Sequence, residues 1–225
     1  MRLGVSGGPV TRDTAEVNDQ LAARIAGMGF TGVVTHFLGS AATFPAAELH
    51  RVRDVLADHG IRVVQSWGWQ QPLVAPDETV RRGAVQTLRH AVRVAADLGA
   101  GMVLTGAGSL NPRGSYWPHP DNHIAATEDR LIRTLQETVP ACETYGVPVC
   151  LECHVTTILD SPTRVRRIIE RVGSAWIKAN FDAVNFIPDI QTAFHTGRLL
   201  DDLFDQLGPY FAAAHLKDVY IEDRH

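Results

Sequence analysis

Four times in this chain an apolar helical stripe ends at a glycine, and a short apolar run follows at once. The glycines are Gly29, Gly60, Gly99 and Gly146, each placed where a left-handed cap turns a helix into a strand. Val17, Leu21, Ile25 and Met28 form the stripe before the first; Leu49, Val52 and Leu56 precede the second. Val80, Ala84, Leu88, Val92, Ala95 and Leu98 precede the third, in a helix capped near Asp77. The fourth helix runs to Tyr145 and carries Pro140, which is expected to bend it. Strands read at 3–6, 32–37, 61–66, 102–105 and from 147 onward. Ser161 and Pro162 then read as the cap and first residue of a fifth helix with its body at 163–172. Two more strands read at 176–181 and 210–214, with helical pieces in 189–207 between them. Seven strands alternating strictly with helices imply a parallel sheet covered by helices, either open and doubly wound or closed into a barrel.

The strand ends decide between these. Residues 147–154 read Val-Pro-Val-Cys-Leu-Glu-Cys-His, and period-two alternation puts Glu152 and His154 on one face with Cys153 on the other. The next run meets Asp182 and the last meets His215, at spacings of 30 and 33 residues, about one β/α unit each. An open sheet would spread these three ends along an edge, whereas a barrel brings strand ends together at its mouth. The expected fold is therefore a TIM-type (β/α) barrel formed by one domain over residues 1–225, without an eighth β/α unit. Two carboxylates and an imidazole suit a divalent, oxygen-preferring ion, Mn²⁺ or Mg²⁺ first, with Co²⁺ or Zn²⁺ as alternatives.

Composition excludes other classes. The net charge is −4 with no basic run, so the chain is not expected to track nucleic acid. Cys142, Cys150 and Cys153 are an odd set with no CxxC pairing with histidines, and read as free thiols of a reducing compartment. No apolar stretch reaches the roughly 18 residues of a membrane helix, and the N-terminus enters a strand with no leader ahead of it. A cytoplasmic protein is expected. Gly4-Val5-Ser6-Gly7-Gly8 lacks the GxGxxG pattern and reads as the first strand running into a flexible strand-to-helix loop at Gly7 and Gly8. Trp67, Trp69, Tyr116, Trp117 and His119, in the loops after strands three and four, are expected to wall a substrate pocket, with Trp67 and Trp117 as direct contacts. Arg113 reads as a solvated loop arginine, and His36 as a supporting residue.

Leu151-Glu152-Cys153-His154, Asn180-Phe181-Asp182-Ala183-Val184-Asn185 and His215-Leu216-Lys217-Asp218 resemble the strand-five to strand-seven signatures of xylose-isomerase-like barrels. That sugar phosphate isomerase/epimerase superfamily also includes inosose dehydratases, hydroxypyruvate isomerases and apurinic-site endonucleases. The resemblance implies Glu152, Asp182 and His215 as metal ligands, and Glu152 as the catalytic base. It implies a small sugar or polyol as partner, and is compatible with a homo-oligomer. His154, Asn185 and Lys217 are expected to meet substrate oxygens. Ketose epimerases of this family carry histidine where Asn185 stands, and their fourth ligand is a strand-eight glutamate. Glu222 or Asp223 are the nearest acids after strand seven. With one glutamate, isomerisation by proton abstraction next to a carbonyl, through an enediolate, is favoured over epimerisation, which needs two acid/base groups. An inosose-type dehydratase and a non-catalytic sugar-binding barrel are the alternatives. A gap beside strand seven, a weakly anchored tail at 219–225 and a weak metal site are also expected.

Overall fold

A computed structural model of the chain describes residues 2–218. Its elements alternate as the glycine rhythm requires. They are β1 (Gly4–Val5), α1 (Asp19–Gly27), β2 (Gly32–Thr35), α2 (Ala46–Asp58), β3 (Arg62–Ser66), α3 (Glu78–Asp97) and β4 (Val103–Thr105). Then come α4 (Ala125–Tyr145), β5 (Val149–Leu151), α5 (Pro162–Val172), β6 (Ile177–Phe181), α6 (Ile190–Phe194), α7 (Thr196–Leu207) and β7 (Phe211–Ala214). All seven strands pair in parallel and in sequence order, β1 to β7, forming the curled sheet of a TIM-type barrel with helices outside. Among the described residues no eighth strand follows β7, and no pairing joins β7 to β1. The expectations for the tail, and for Glu222 and Asp223, lie outside the described residues.

Two compartments share the strands. Val33, Val63, Val103, Val149, Leu151, Ile177 and Ala179 belong to the large core between sheet and helices. Met102, Leu104 and Cys150 form a small second cluster, with Trp67 and Ala213 packed on it, that fills the barrel interior. Most stripe residues are buried as the periodicity predicts, and each fully buried leucine such as Leu88, Leu131 or Leu135 contributes roughly 1.5–3 kcal/mol.

Local differences from the sequence reading have physical causes. Met28 and Val80 are half exposed, because each stands at a helix end where the stripe runs past the sheet. Val17 is buried but precedes α1, whose cap is Asn18 accepting from the Leu21 N–H. Helix α4 is continuous through Pro140. Ser161 occupies the cap position of α5, yet its hydroxyl donates to Asp160, and Pro162 starts the helix. Trp69 is no part of a mouth wall: it is buried in the large core, its indole N–H donating to Ser66.

Candidate functional site

Beyond Leu151, the last residue of β5, the alternation continues: Cys153 is buried in the outer core, while Glu152 turns to the barrel mouth. Glu152, Asp182 and His215 each follow directly on β5, β6 or β7, and one ligand atom from each lies within 4.8 Å of the others. Nδ1 of His215 stands 3.5 Å from Oε1 of Glu152 and 3.3 Å from Oδ2 of Asp182. Asp182 is fully buried, and among the described residues its Oδ1 has no hydrogen-bond partner. Leaving a buried carboxylate oxygen unpaired costs more than the ~1–3 kcal/mol of a neutral group, so this atom asks for a donor or a cation. The donor set and the orphaned oxygen fit a divalent ion with oxygen preference.

Several groups hold the carboxylates. The Tyr116 hydroxyl donates to Oε2 of Glu152 at 2.7 Å and accepts from Gln70 Nε2 at 2.8 Å. Tyr116 is itself anchored, its carbonyl accepting from the Thr156 hydroxyl at 2.8 Å. A Cβ on Gly106 would come 3.2 Å from the Tyr116 hydroxyl, so the strand-four glycine keeps that space open. Burial pushes the Glu152 carboxyl up, but hydrogen bonds from His215 and Tyr116 outweigh it and hold the group below the usual carboxylate range. Burial disfavours charge on His215, yet its hydrogen bonds to Asp182 and Glu152 and their charges raise it to about 9. Lys217 places Nζ 2.5 Å from Asp182 Oδ2, and Asn185 donates to the same oxygen at 3.1 Å.

A family model described as a xylose isomerase-like TIM barrel matches residues 22–225. The chain belongs to the xylose isomerase-like TIM barrel family. No curated protein matches the sequence. Solved structures share the fold of this xylose isomerase-like barrel at low identity. A D-psicose 3-epimerase, solved in the presence of D-fructose, aligns at a TM-score of 0.72 and 17% identity, over 96% of this chain and 72% of that one. The 3-keto-D-glucoside 4-epimerase of E. coli aligns at 0.72 and 16%, over 97% and 79%. A xylose isomerase-like TIM barrel protein from Mycobacterium smegmatis, in complex with magnesium, aligns at 0.64 and 18%, over 88% and 65%.

Within this family fold the other expected residues take varied places. His154 is half buried, with Nδ1 2.8 Å from the Thr156 hydroxyl oxygen and its ring 5.2 Å from Tyr116; burial lowers its pKa. Trp67 packs on the interior cluster and tilts against His36 at 4.5 Å, its buried indole N–H without a partner among the described residues. Gly68, at φ +103°, makes that contact possible: a Cβ there would lie 2.2 Å from the His36 ring. His36 in turn meets the Arg12 guanidinium at 3.0 Å. Trp117 is 43% exposed, with the Arg113 guanidinium 3.6 Å above its ring, so Arg113 is stacked on an indole and not simply solvated. His119 caps the short turn at Pro120–His123.

Sequence reasoning missed two contributors. Gln65 reaches His215 from β3, and Gln70 supports Tyr116. Tyr116 was visible only as a wall aromatic, because nothing in sequence links it to Glu152, 36 residues away.

Proposed function

We propose that this chain is a divalent-metal-dependent isomerase or epimerase of a small sugar or polyhydroxy ketone, working by proton abstraction next to a carbonyl. The observation that carries the reading is the convergence of Glu152, Asp182 and His215, with a buried carboxylate oxygen of Asp182 left unpartnered. Similar folds solved as sugar epimerases, and one solved with magnesium, support it.

Glu152, Asp182 and His215 would hold Mn²⁺ or Mg²⁺, or Co²⁺ or Zn²⁺ in their place. A bound ion supplies positive charge beside the substrate carbonyl. Glu152 takes the proton from the hydroxyl-bearing carbon next to the carbonyl, giving an enediolate, and returns it to the former carbonyl carbon, while the hydroxyl proton passes to the former carbonyl oxygen. Tyr116 holds Oε2 of that carboxylate, so the base keeps one orientation through the cycle. Lys217 and the His154 ring offer positive charge and a polar contact to substrate oxygens, and Trp67 offers its unpartnered N–H. Asn185, beside Asp182, completes the polar rim.

Metal analysis of the purified protein, followed by a screen of ketoses and inososes for deuterium uptake from D₂O, tests the reading. The expected result is uptake at the carbon next to the carbonyl that requires the divalent ion. Protein that binds no divalent ion, or uptake unaffected by Glu152→Gln, would overturn it.

A further inference from the structure

Gln65 lies in β3, 2% exposed, and joins residues 115 and 150 positions away in sequence. Its Nε2 donates to Oδ1 of Asn180 at 3.1 Å and also faces Met102 Sδ at 3.8 Å. Its Oε1 is 2.9 Å from Nε2 of His215. A carboxamide oxygen can only accept, so Nε2 of His215 carries a hydrogen. The remaining lone pair of the neutral ring is then on Nδ1, the nitrogen that faces both carboxylates. The doubly protonated ring uses the same contact, because its Nε2–H needs the same acceptor.

Gln65 reaches this position through a change of phase within β3. Val63 points into the outer core, and simple alternation would send Gln65 the same way. The pairing with β2 instead steps from Val33–Val63 to Val34–Gln65, leaving Val64 as an extra residue. Such a bulge re-aims the residues that follow it, and Gln65 turns into the barrel.

We propose that Gln65 is a positioning residue that fixes His215 as an Nδ1 ligand, by accepting from its Nε2–H. The inference rests on the metal-centre reading of Glu152, Asp182 and His215. Groups of this kind behind a metal-binding histidine are worth about 10–100-fold in metal affinity.

The test uses the metal alone, on the full chain. With ¹⁵N-labelled histidine and ¹¹³Cd²⁺ bound, metal–nitrogen coupling is expected at Nδ1 of His215, with a proton retained on Nε2. In Mn²⁺ titrations, Gln65→Met is expected to lose about 10–100-fold in affinity. Gln65→Glu should stay close to the parent, since its carboxylate accepts the same bond and the unpartnered Nδ2 of Asn180 can turn to meet it. Coupling at Nε2, or unchanged affinity in a folded Gln65→Met protein, would overturn the inference while leaving the metal centre intact. If Gln65→Met fails to fold, the coupling measured on the parent decides alone. A parent protein that binds neither ion would overturn the metal reading itself, and this inference with it.

Discussion

Glu152 and His215 stand 3.5 Å apart, yet β5 is buried at every position while β7 alternates between half-buried and exposed. On the β5 side the fold itself holds the acid. The Glu152 N–H donates to the Thr105 carbonyl, Cys153 is sunk in the core beside it, and Tyr116 fixes one carboxylate oxygen. On the β7 side the same backbone bond is made, the His215 N–H donating to the Phe181 carbonyl, but the strand is less buried. The imidazole takes its orientation from side chains, Gln65 on one nitrogen and the two carboxylates on the other. The contrast teaches that one centre can be preorganised by burial at one end and by side-chain hydrogen bonds at the other.

The largest expected effect breaks the buried side. Glu152→Gln keeps the shape but removes the charge and the proton acceptor, and should lower turnover by about 10²–10⁴-fold with much less change in substrate affinity. Steady-state kinetics on a substrate found by deuterium uptake would show it. Equal kinetics would place the base elsewhere.

The second effect lies on the β7 side. Below its raised value of about 9 the metal-free His215 is protonated, and a cation bound at its nitrogen must displace that proton. Metal affinity should therefore climb as pH rises from 7 towards 9, at up to about tenfold per pH unit, and then level off. Calorimetry in buffers of different ionisation heat would count the released proton. In the metal-free protein the sign runs the other way: His215 contributes stability below its ordinary value near 6.5 and loses it as pH passes about 9. A flat affinity profile would detach His215 from the centre.

Third, Tyr116→Phe removes a donor from a carboxylate, a contact worth about 1.5–3 kcal/mol. Because Glu152 is held below the usual range, its contribution is present above that range and lost as pH falls through its folded value. Melting curves should separate mutant from parent at neutral pH and converge in acid. A gap that persists in acid would mean that Tyr116 acts by packing alone.

The smallest effect is Lys217→Met. Its ammonium, 42% exposed, competes for Asp182, and exposed ion pairs are worth about 0–1 kcal/mol. Metal titration should show binding tightened by no more than about fivefold. A loss of affinity would make the lysine a partner of the centre and not a competitor.

What was legible in the sequence follows from local rules. Gly29, Gly60, Gly99 and Gly146 all have positive φ, between 63° and 86°, so the helix ends could be read one residue at a time. Glu152, Asp182 and His215 announced themselves because β5, β6 and β7 each end immediately before them. Tyr116 and Gln65 stayed hidden for opposite reasons. Tyr116 sits in a loop whose path depends on contacts such as Asn122 to Thr156, which no periodicity encodes. Gln65 sits in a strand, but the extra residue Val64 defeats the periodicity that would be applied to it. Trp69 misled for a related reason: a tryptophan two positions past a strand can fold back as easily as line a mouth, and Ser66 settles which.

The extra residue in β3 also bears on transplanting this centre. A strand that changes face partway along serves two environments, greasy below Val64 and polar above it. No substitution reproduces that switch, because it depends on a count of residues and not on their identity. An engineer who copied Glu152, Asp182, His215 and Gln65 onto a regular barrel would find the glutamine facing the helices. Restoring it would take an insertion.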